Sequence, residues 1–208
     1  MKFDKSILQV YAVSDGERTG EKELRTALAS GVSCVQLREK NLDFDTFLQK
    51  AKTFESLCRE FGVPLFINDN LEIAKRVQTA GLHLGQEDGS LKEARLLLGS
   101  RAIIGRSVHN CEEAIRAWQE GADYLGVGAL FATRTKEDAT VVPRDVLIDI
   151  CHAVPIPVVA IGGITRENIQ TLYGTGICGV ALVSALFGQP DIAAAVTEMK
   201  QLTRPFST

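Results

Sequence analysis

Cysteine is scarce and unpaired. Cys34, Cys58, Cys111, Cys151 and Cys178 are five in number, lie far apart and form no CxxC pair. Such a set excludes a disulfide framework and a zinc site, and reads as reduced, mostly buried thiols of a cytosolic protein. Charge of one dominant sign is missing too. Lys and Arg total 23 against 26 Asp and Glu, a net charge of -3. That leaves no global basic field for nucleic acid or an anionic membrane. Aromatics make up only 6% of the chain, and no Lys/Arg block alternates with them, as a stacking surface for nucleic acid would need. No apolar run reaches the ~18 residues of a membrane span. At the N-terminus, "MKFDKSILQVYAV" places Asp4 and Lys5 where a signal peptide needs an apolar stretch. A cytoplasmic protein with neither nucleic-acid nor membrane partners is expected. No Gly/Ser/Pro-rich linker divides the chain, so residues 1–208 are expected to form one domain. A domain of that length buries a substantial core without disulfides.

What is present is a regular alternation. Short apolar runs recur as "ILQVYAV" (7–13), "SCVQLRE" (33–39), "PLFIND" (64–69), "GLHLG" (81–85), "AIIGRS" (102–107), "YLGVG" (124–128), "PVVAIGG" (157–163) and "GVALVSA" (179–185). Amphipathic segments lie between them. In 43–62, Phe47, Leu48, Ala51, Phe54, Leu57 and Cys58 share one helical face, and Gly62 and Pro64 end it. "NCEEAIRAWQEG" (110–121) opens on an Asn cap and stops at Gly121. Segments 164–176 and 189–202 complete the series. Only a crossover can return the chain between such strands, so the pairing is parallel. Eight units at about 25-residue spacing suit a compact (β/α)8 TIM barrel. An open doubly wound sheet is the alternative, but "SDGERTG" after the first run lacks its Gly-rich turn.

Barrel chemistry gathers at the C-terminal ends of the strands, and these ends are polar. The second run ends in Gln36, Arg38, Glu39 and Lys40. Alternation sends Gln36 and Arg38 to one side, and an Arg fork beside a Lys ammonium suits a phosphoryl group. The third ends in Asn68, Asp69 and Asn70, the fourth in Gln86, Glu87 and Asp88. Two neighbouring carboxylates repel unless protonated or metal-bound, and Mg2+ takes one or two carboxylates together with substrate phosphates and water. Each group also fits a plain structural role. Gln36 and Arg38 could close the barrel end, and Asp69 and Asp88 each precede a helix they could cap. His83 sits within its strand and is expected to pack there with a satisfied ring, not as a ligand.

Ser107 ends the fifth run and can donate at the mouth; no Ser–His–Asp set follows from its spacing to His109. The longest break, 126–145, gathers Thr133, Arg134, Thr135 and Lys136, hydroxyls and cations suited to closing on phosphate or simply to an exposed loop. Gly162 and Gly163 after the seventh run permit close backbone approach. With Val183 and Ser184 after the eighth, they occupy the usual phosphate corner of a barrel.

Taken in order, "QLREK", "IND", "GLHLGQED", "GRS", "TRTK", "GGIT" and "VS" resemble the thiamine-phosphate synthase (thiamine-phosphate pyrophosphorylase) family over essentially the whole chain. The resemblance implies a (β/α)8 barrel enzyme, a transferase of thiamine biosynthesis. Such an enzyme joins hydroxymethylpyrimidine diphosphate to a hydroxyethylthiazole phosphate, or its carboxylated form, and releases pyrophosphate with Mg2+ as cofactor. By position it implies that Gln36, Arg38, Lys40, Asn68, Ser107 and Lys136 hold the pyrimidine diphosphate. Of these, Arg38, Lys40, Ser107 and Lys136 would serve the chemistry. Asp69 and Asp88 would hold Mg2+. Thr133, Arg134, Thr135, Gly163, Val183 and Ser184 would hold the thiazole phosphate. The partners implied are small phosphorylated molecules, with room for a homo-oligomer. Ala129 and Ala132 stand where the family commonly has Pro, and Asn70 where it often has Asp or Arg. A thiazole tautomerase branch shares the fold and the thiazole end. It generally lacks the full diphosphate set and places a His near Ala129; here the set is intact and that His is missing. A non-catalytic phosphate-binding barrel is the remaining alternative, against which the retained Asp69 and Asp88 argue.

Overall fold

Alternation along each short strand sorts its side chains into two shells. In β1 (Val10–Val13), Val10 and Ala12 join the large outer core, while Tyr11 and Val13 join a smaller inner one. The same division runs through β2 (Cys34–Leu37), β3 (Leu65–Asn68), β4 (Gly81–Leu84), β5 (Ile103–Val108), β6 (Tyr124–Val127), β7 (Val158–Ile161) and β8 (Gly179–Leu182). Every neighbouring pair is parallel, and β8 returns to β1, so the sheet closes into a barrel. The architecture is the (β/α)8 barrel expected from the spacing. The computed structural model describes residues 3–133 and 140–207.

The helices are α1 (Glu21–Ser30), α2 (Phe44–Glu60), α3 (Leu71–Val77), α4 (Leu91–Leu98), α5 (Cys111–Gln119), α6 (Arg144–Ala153), α7 (Ser184–Phe187) and α8 (Ile192–Leu202). On α2 the buried residues are the six read from the sequence, Phe47, Leu48, Ala51, Phe54, Leu57 and Cys58, and Asp43 caps it by accepting from Thr46 N–H. Asn110 caps α5 in the same way, accepting from Glu113 N–H at 2.9 Å. The outer core joins these helices to the outward face of the strands. Cys34, Cys58 and Cys178 are buried, Cys111 and Cys151 half-buried, and all five are free thiols. Among the described residues no helix is long and apolar enough to cross a membrane.

Three stretches depart from the expected elements. Residues 164–176 form a single 3-10 turn, Ile169–Leu172, in place of a full helix. Asn168 holds this turn: its Oδ1 accepts from Thr165 N–H at 2.8 Å and its Nδ2 donates to Gly163 O at 2.9 Å. These side-chain bonds compete with a helical ladder. The eighth strand ends at Leu182, because Val183 leaves the extended region and Ser184 begins α7. Before β1, Lys5–Leu8 is a 3-10 turn capped by Asp4, so the first strand is shorter than 7–13.

Candidate active site

Register brings the polar strand ends together. Asn68 pairs with His83, His83 with Gly105, and Ser107 with Gly126 across β3 to β6. Gln36 is buried in the interior, its Nε2 donating to the Tyr11 hydroxyl at 2.9 Å. Beyond it, the half-buried Arg38 is fixed through its backbone, whose N–H donates to Ser14 Oγ at 2.8 Å. Among the described residues, neither its guanidinium nor the exposed Lys40 ammonium makes a hydrogen bond or ion pair. Glu39 points elsewhere, as alternation requires. It pairs with Lys50 at 2.5 Å, and Lys50 also donates to Gly16 O at 2.9 Å. Glu39 therefore ties the β2 exit to α2 and the β1 loop.

The carboxylates do not cap their helices. Asn70 caps α3, accepting from Ile73 N–H at 3.0 Å, and Ser90 caps α4. Asp69 instead adopts a left-handed backbone, φ 61°, uncommon outside glycine though best tolerated by Asn and Asp. Its carboxyl is in hydrogen-bond contact with Asp88 and accepts from Asn68 Nδ2. Burial, and then the Asp88 charge and contact, push the Asp69 carboxyl up to about 6. Asp88 Oδ2 accepts from Gly85 N–H at 3.0 Å, and a Cβ at Gly85 would stand 2.4 Å from that oxygen. Glycine is needed there for the carboxylate to fold back toward Asp69.

A pair held this way needs a proton or a cation between its members. Among the described residues no third His, Cys, Asp or Glu groups with it as a metal cluster. The pair therefore suits a hard cation whose other positions go to water and phosphate oxygens. The loop carrying Asp88 is braced from β5. Arg106 donates to Gly89 O at 2.9 Å and to Gln86 O at 3.1 Å, while Gln86 Nε2 donates to Ser107 O at 2.5 Å.

At the far side of the mouth the two glycines serve packing first. A Cβ on Gly162 would lie 2.6 Å from Ala129, and one on Gly163 2.6 Å from Ala132 O, with φ 93° and 66°. They let residues 130–131 pair with the end of β7, Leu130 N–H donating to Ile161 O and Phe131 N–H to Gly162 O. Thr133 follows, half-buried. Arg134, Thr135 and Lys136 lie outside the described residues. Val183 and the exposed Ser184 stand at the start of α7, and Ser184 lines a cavity of about 280 Å³ with Arg18, Thr165 and Arg166.

The profile of thiamine monophosphate synthase matches residues 10–186, all eight strands included. The chain belongs to the thiamine monophosphate synthase family. Family relatives include thiamine-phosphate synthase 2 of Streptococcus pneumoniae, 43% identical over 196 residues that cover 92% of this chain and 93% of the relative. Thiamine-phosphate synthase of Syntrophomonas wolfei is 44% identical over 200 residues, 96% and 92% of the two chains. The solved thiamine phosphate pyrophosphorylase of Pyrococcus furiosus superposes with a TM-score of 0.90 at 34% identity, over 98% of this chain and 99% of that one. A 3-hexulose-6-phosphate synthase at 12% identity and TM-score 0.70 shares the fold alone.

Within this member of the family, sequence reasoning passed over Tyr11, Tyr124 and Arg106. Both tyrosines sit inside apolar strands, where an aromatic reads as core. Arg106 offered a signal, a charge inside a strand otherwise buried, but only the loop it braces gives that charge a purpose. His83 packs as expected, with both ring nitrogens partnered.

Proposed function

We propose that this enzyme, a member of a family of thiamine-biosynthetic transferases, is a thiamine-phosphate synthase. It would couple hydroxymethylpyrimidine diphosphate to hydroxyethylthiazole phosphate, giving thiamine monophosphate and pyrophosphate. The observation that carries this is the Asp69–Asp88 contact, neither residue capping a helix, beyond the ends of β3 and β4. The first of these strands adjoins β2, which leads to Arg38 and Lys40, cations without a partner among the described residues. A tautomerase has no diphosphate for that set to bind, and a passive phosphate binder is separated from a synthase by turnover.

In this reading Asp69 and Asp88 hold Mg2+, which when bound offsets charge on the diphosphate. Arg38, Lys40 and Lys136 bind the diphosphate oxygens and stabilise the charge that grows as the methylene C–O bond breaks. The electron pair leaves with pyrophosphate, and the aminopyrimidine ring stabilises the cation left at the methylene. Gln36 and Asn68 orient that ring, and Ser107 donates to the departing anion. The thiazole nitrogen then forms the C–N bond. Thr133, Arg134 and Thr135, with Gly163, Val183 and Ser184, hold its phosphate so that nitrogen and methylene meet in line. No protein nucleophile enters, in keeping with the absence of a triad among these residues. Single-turnover mixing of both precursors, with and without Mg2+, tests the proposal. Thiamine phosphate and pyrophosphate formed in equal amounts, only with Mg2+, are expected. Binding without product would overturn it.

A further inference from the structure

A line of buried hydrogen bonds crosses the inside of the barrel. Gln36 Nε2 on β2 donates to the Tyr11 hydroxyl on β1 at 2.9 Å, and that hydroxyl stands 2.9 Å from the Tyr124 hydroxyl on β6. Tyr124 stands 2.9 Å from His83 Nδ1 on β4, and His83 Nε2 lies 2.9 Å from Ser107 Oγ on β5. Both ends, Gln36 and Ser107, are residues assigned to substrate above. The three between are buried: Tyr11 is 1% exposed, Tyr124 0% and His83 8%.

Proton counting gives this line a direction. A hydroxyl has one hydrogen, and a neutral imidazole has one N–H. His83 faces hydroxyls at both ring nitrogens, those of Tyr124 and Ser107, and among the described residues no carboxylate pairs with its ring, so it is counted as neutral. With Gln36 donating to Tyr11, the Tyr11 hydrogen goes to Tyr124, the Tyr124 hydrogen to Nδ1, and the imidazole hydrogen sits on Nε2 facing Ser107. With the Gln36 amide in this orientation, any other order strands a hydroxyl hydrogen or sets two lone pairs face to face, at about 1–3 kcal/mol for each unmatched buried group. Among the described residues no buried side-chain nitrogen or oxygen lacks a partner. The one other complete order is the full reversal, with the Gln36 amide turned so that its oxygen accepts from Tyr11.

We infer that Tyr11, Tyr124 and His83 are positioning residues forming a polarity relay, which sets Gln36 as an acceptor and Ser107 as a donor toward the same bound molecule. With Nε2 engaged, the Gln36 Oε1 is the atom left to take an N–H. With its oxygen engaged by His83, Ser107 has its own hydrogen to give to an anionic oxygen. The relay thus selects a ligand with an amino-bearing ring at one end and an anionic group at the other, and it couples recognition of the two. Only the identity of that molecule rests on the function proposed above.

The relay is tested in the free protein by nitrogen-15 NMR of the histidine rings. Wild-type His83 is expected as the Nε2–H tautomer. An ionised glutamate can only accept, so Gln36→Glu at about pH 8.5, well above the ordinary carboxylate range, reverses every link. His83 then becomes the Nδ1–H tautomer, although the substitution lies three hydrogen bonds away. A structural role for Tyr11 and Tyr124 would not move that proton. A wild-type Nδ1–H tautomer overturns the relay direction whether or not the variant folds, and an unchanged tautomer in folded Gln36→Glu overturns the relay itself. Tyr124→Phe cuts the line while leaving both ends in place, and is expected to lower kcat/KM for the coupling reaction about tenfold, one hydrogen bond's worth. An unaltered kcat/KM would deny the relay a part in recognition. Wild-type protein without turnover would overturn the proposed reaction, while the tautomer measurement would still decide the relay.

Discussion

The Tyr11 hydroxyl on β1 meets the Tyr124 hydroxyl on β6 at 2.9 Å, joining strands that are not neighbours in the barrel. Their rings pack with Phe66 at centroid distances of 5.4 and 5.8 Å and with each other at 6.1 Å. The interior is thus apolar on its flanks and hydrogen-bonded along its middle. That line ends at Gln36 on β2 and Ser107 on β5.

Room for this arrangement comes from glycine. A Cβ on Gly105 would lie 2.2 Å from the Tyr124 ring. Gly105→Ala is expected to lower stability by about 1–3 kcal/mol, the usual cost of overpacking, and to displace Tyr124 from Tyr11. Urea denaturation with tyrosine fluorescence checks both effects; unchanged stability would show that the ring can retreat freely.

Asp69→Ala removes one carboxylate of the pair and is expected to abolish Mg2+-dependent coupling, a loss of at least about a hundredfold in kcat by comparison with other electrostatic deletions. Thiazole phosphate binding, measured by calorimetry, should be largely retained. Unchanged turnover would remove Asp69 from the metal site.

Mg2+ binding should weaken in acid. The Asp69 carboxyl is pushed up to about 6 by burial and by Asp88, so below that pH a proton competes with the cation. The rise in Tm on adding Mg2+ should be large at about pH 8 and small at about pH 5. An equal rise at both would place the cation elsewhere.

His83 makes a pH-dependent contribution to folding. Its pKa falls from 6.5 to about 4 because burial disfavours the charged ring. The unfolded chain therefore binds the extra proton first as pH drops. This stability is present above 6.5 and is lost as pH falls toward 4, with a magnitude of about 3 kcal/mol. Titration of the His83 ring protons by NMR should give a midpoint near 4; a midpoint near the ordinary histidine value would contradict its burial.

Lys136→Ala should slow the diphosphate step while leaving thermal stability nearly unchanged. Single-turnover rates and Tm measured on one preparation separate the two, and an equal loss of folded protein would assign Lys136 a structural part instead.

Strand order, the face of α2 and the cap of α5 were legible because each depends on neighbours a few residues away. The 164–176 segment was misread for the same reason in reverse. Its apolar spacing suits a helix, but Asn168 bonds back to Gly163 and Thr165, and periodicity does not report such a bond. At the site, the sequence placed Gln36, Arg38, Asn68, Asp69, Asp88 and Ser107 at strand ends, yet it left Asp69 and Asp88 divided between capping and metal. Asn70 and Ser90 settle the capping by taking it over.

The sequence by itself determined the alternating strands and helices, the polar character of the rim and the family, all of which follow from local periodicity and short motifs. Tertiary structure alone decided that Asp69 touches Asp88, that Arg106 braces the loop between β4 and α4, and that Tyr11 reaches Tyr124. Those contacts join residues from separate strands, and only closure and register of the barrel bring them within the short range over which a proton or a charge is shared.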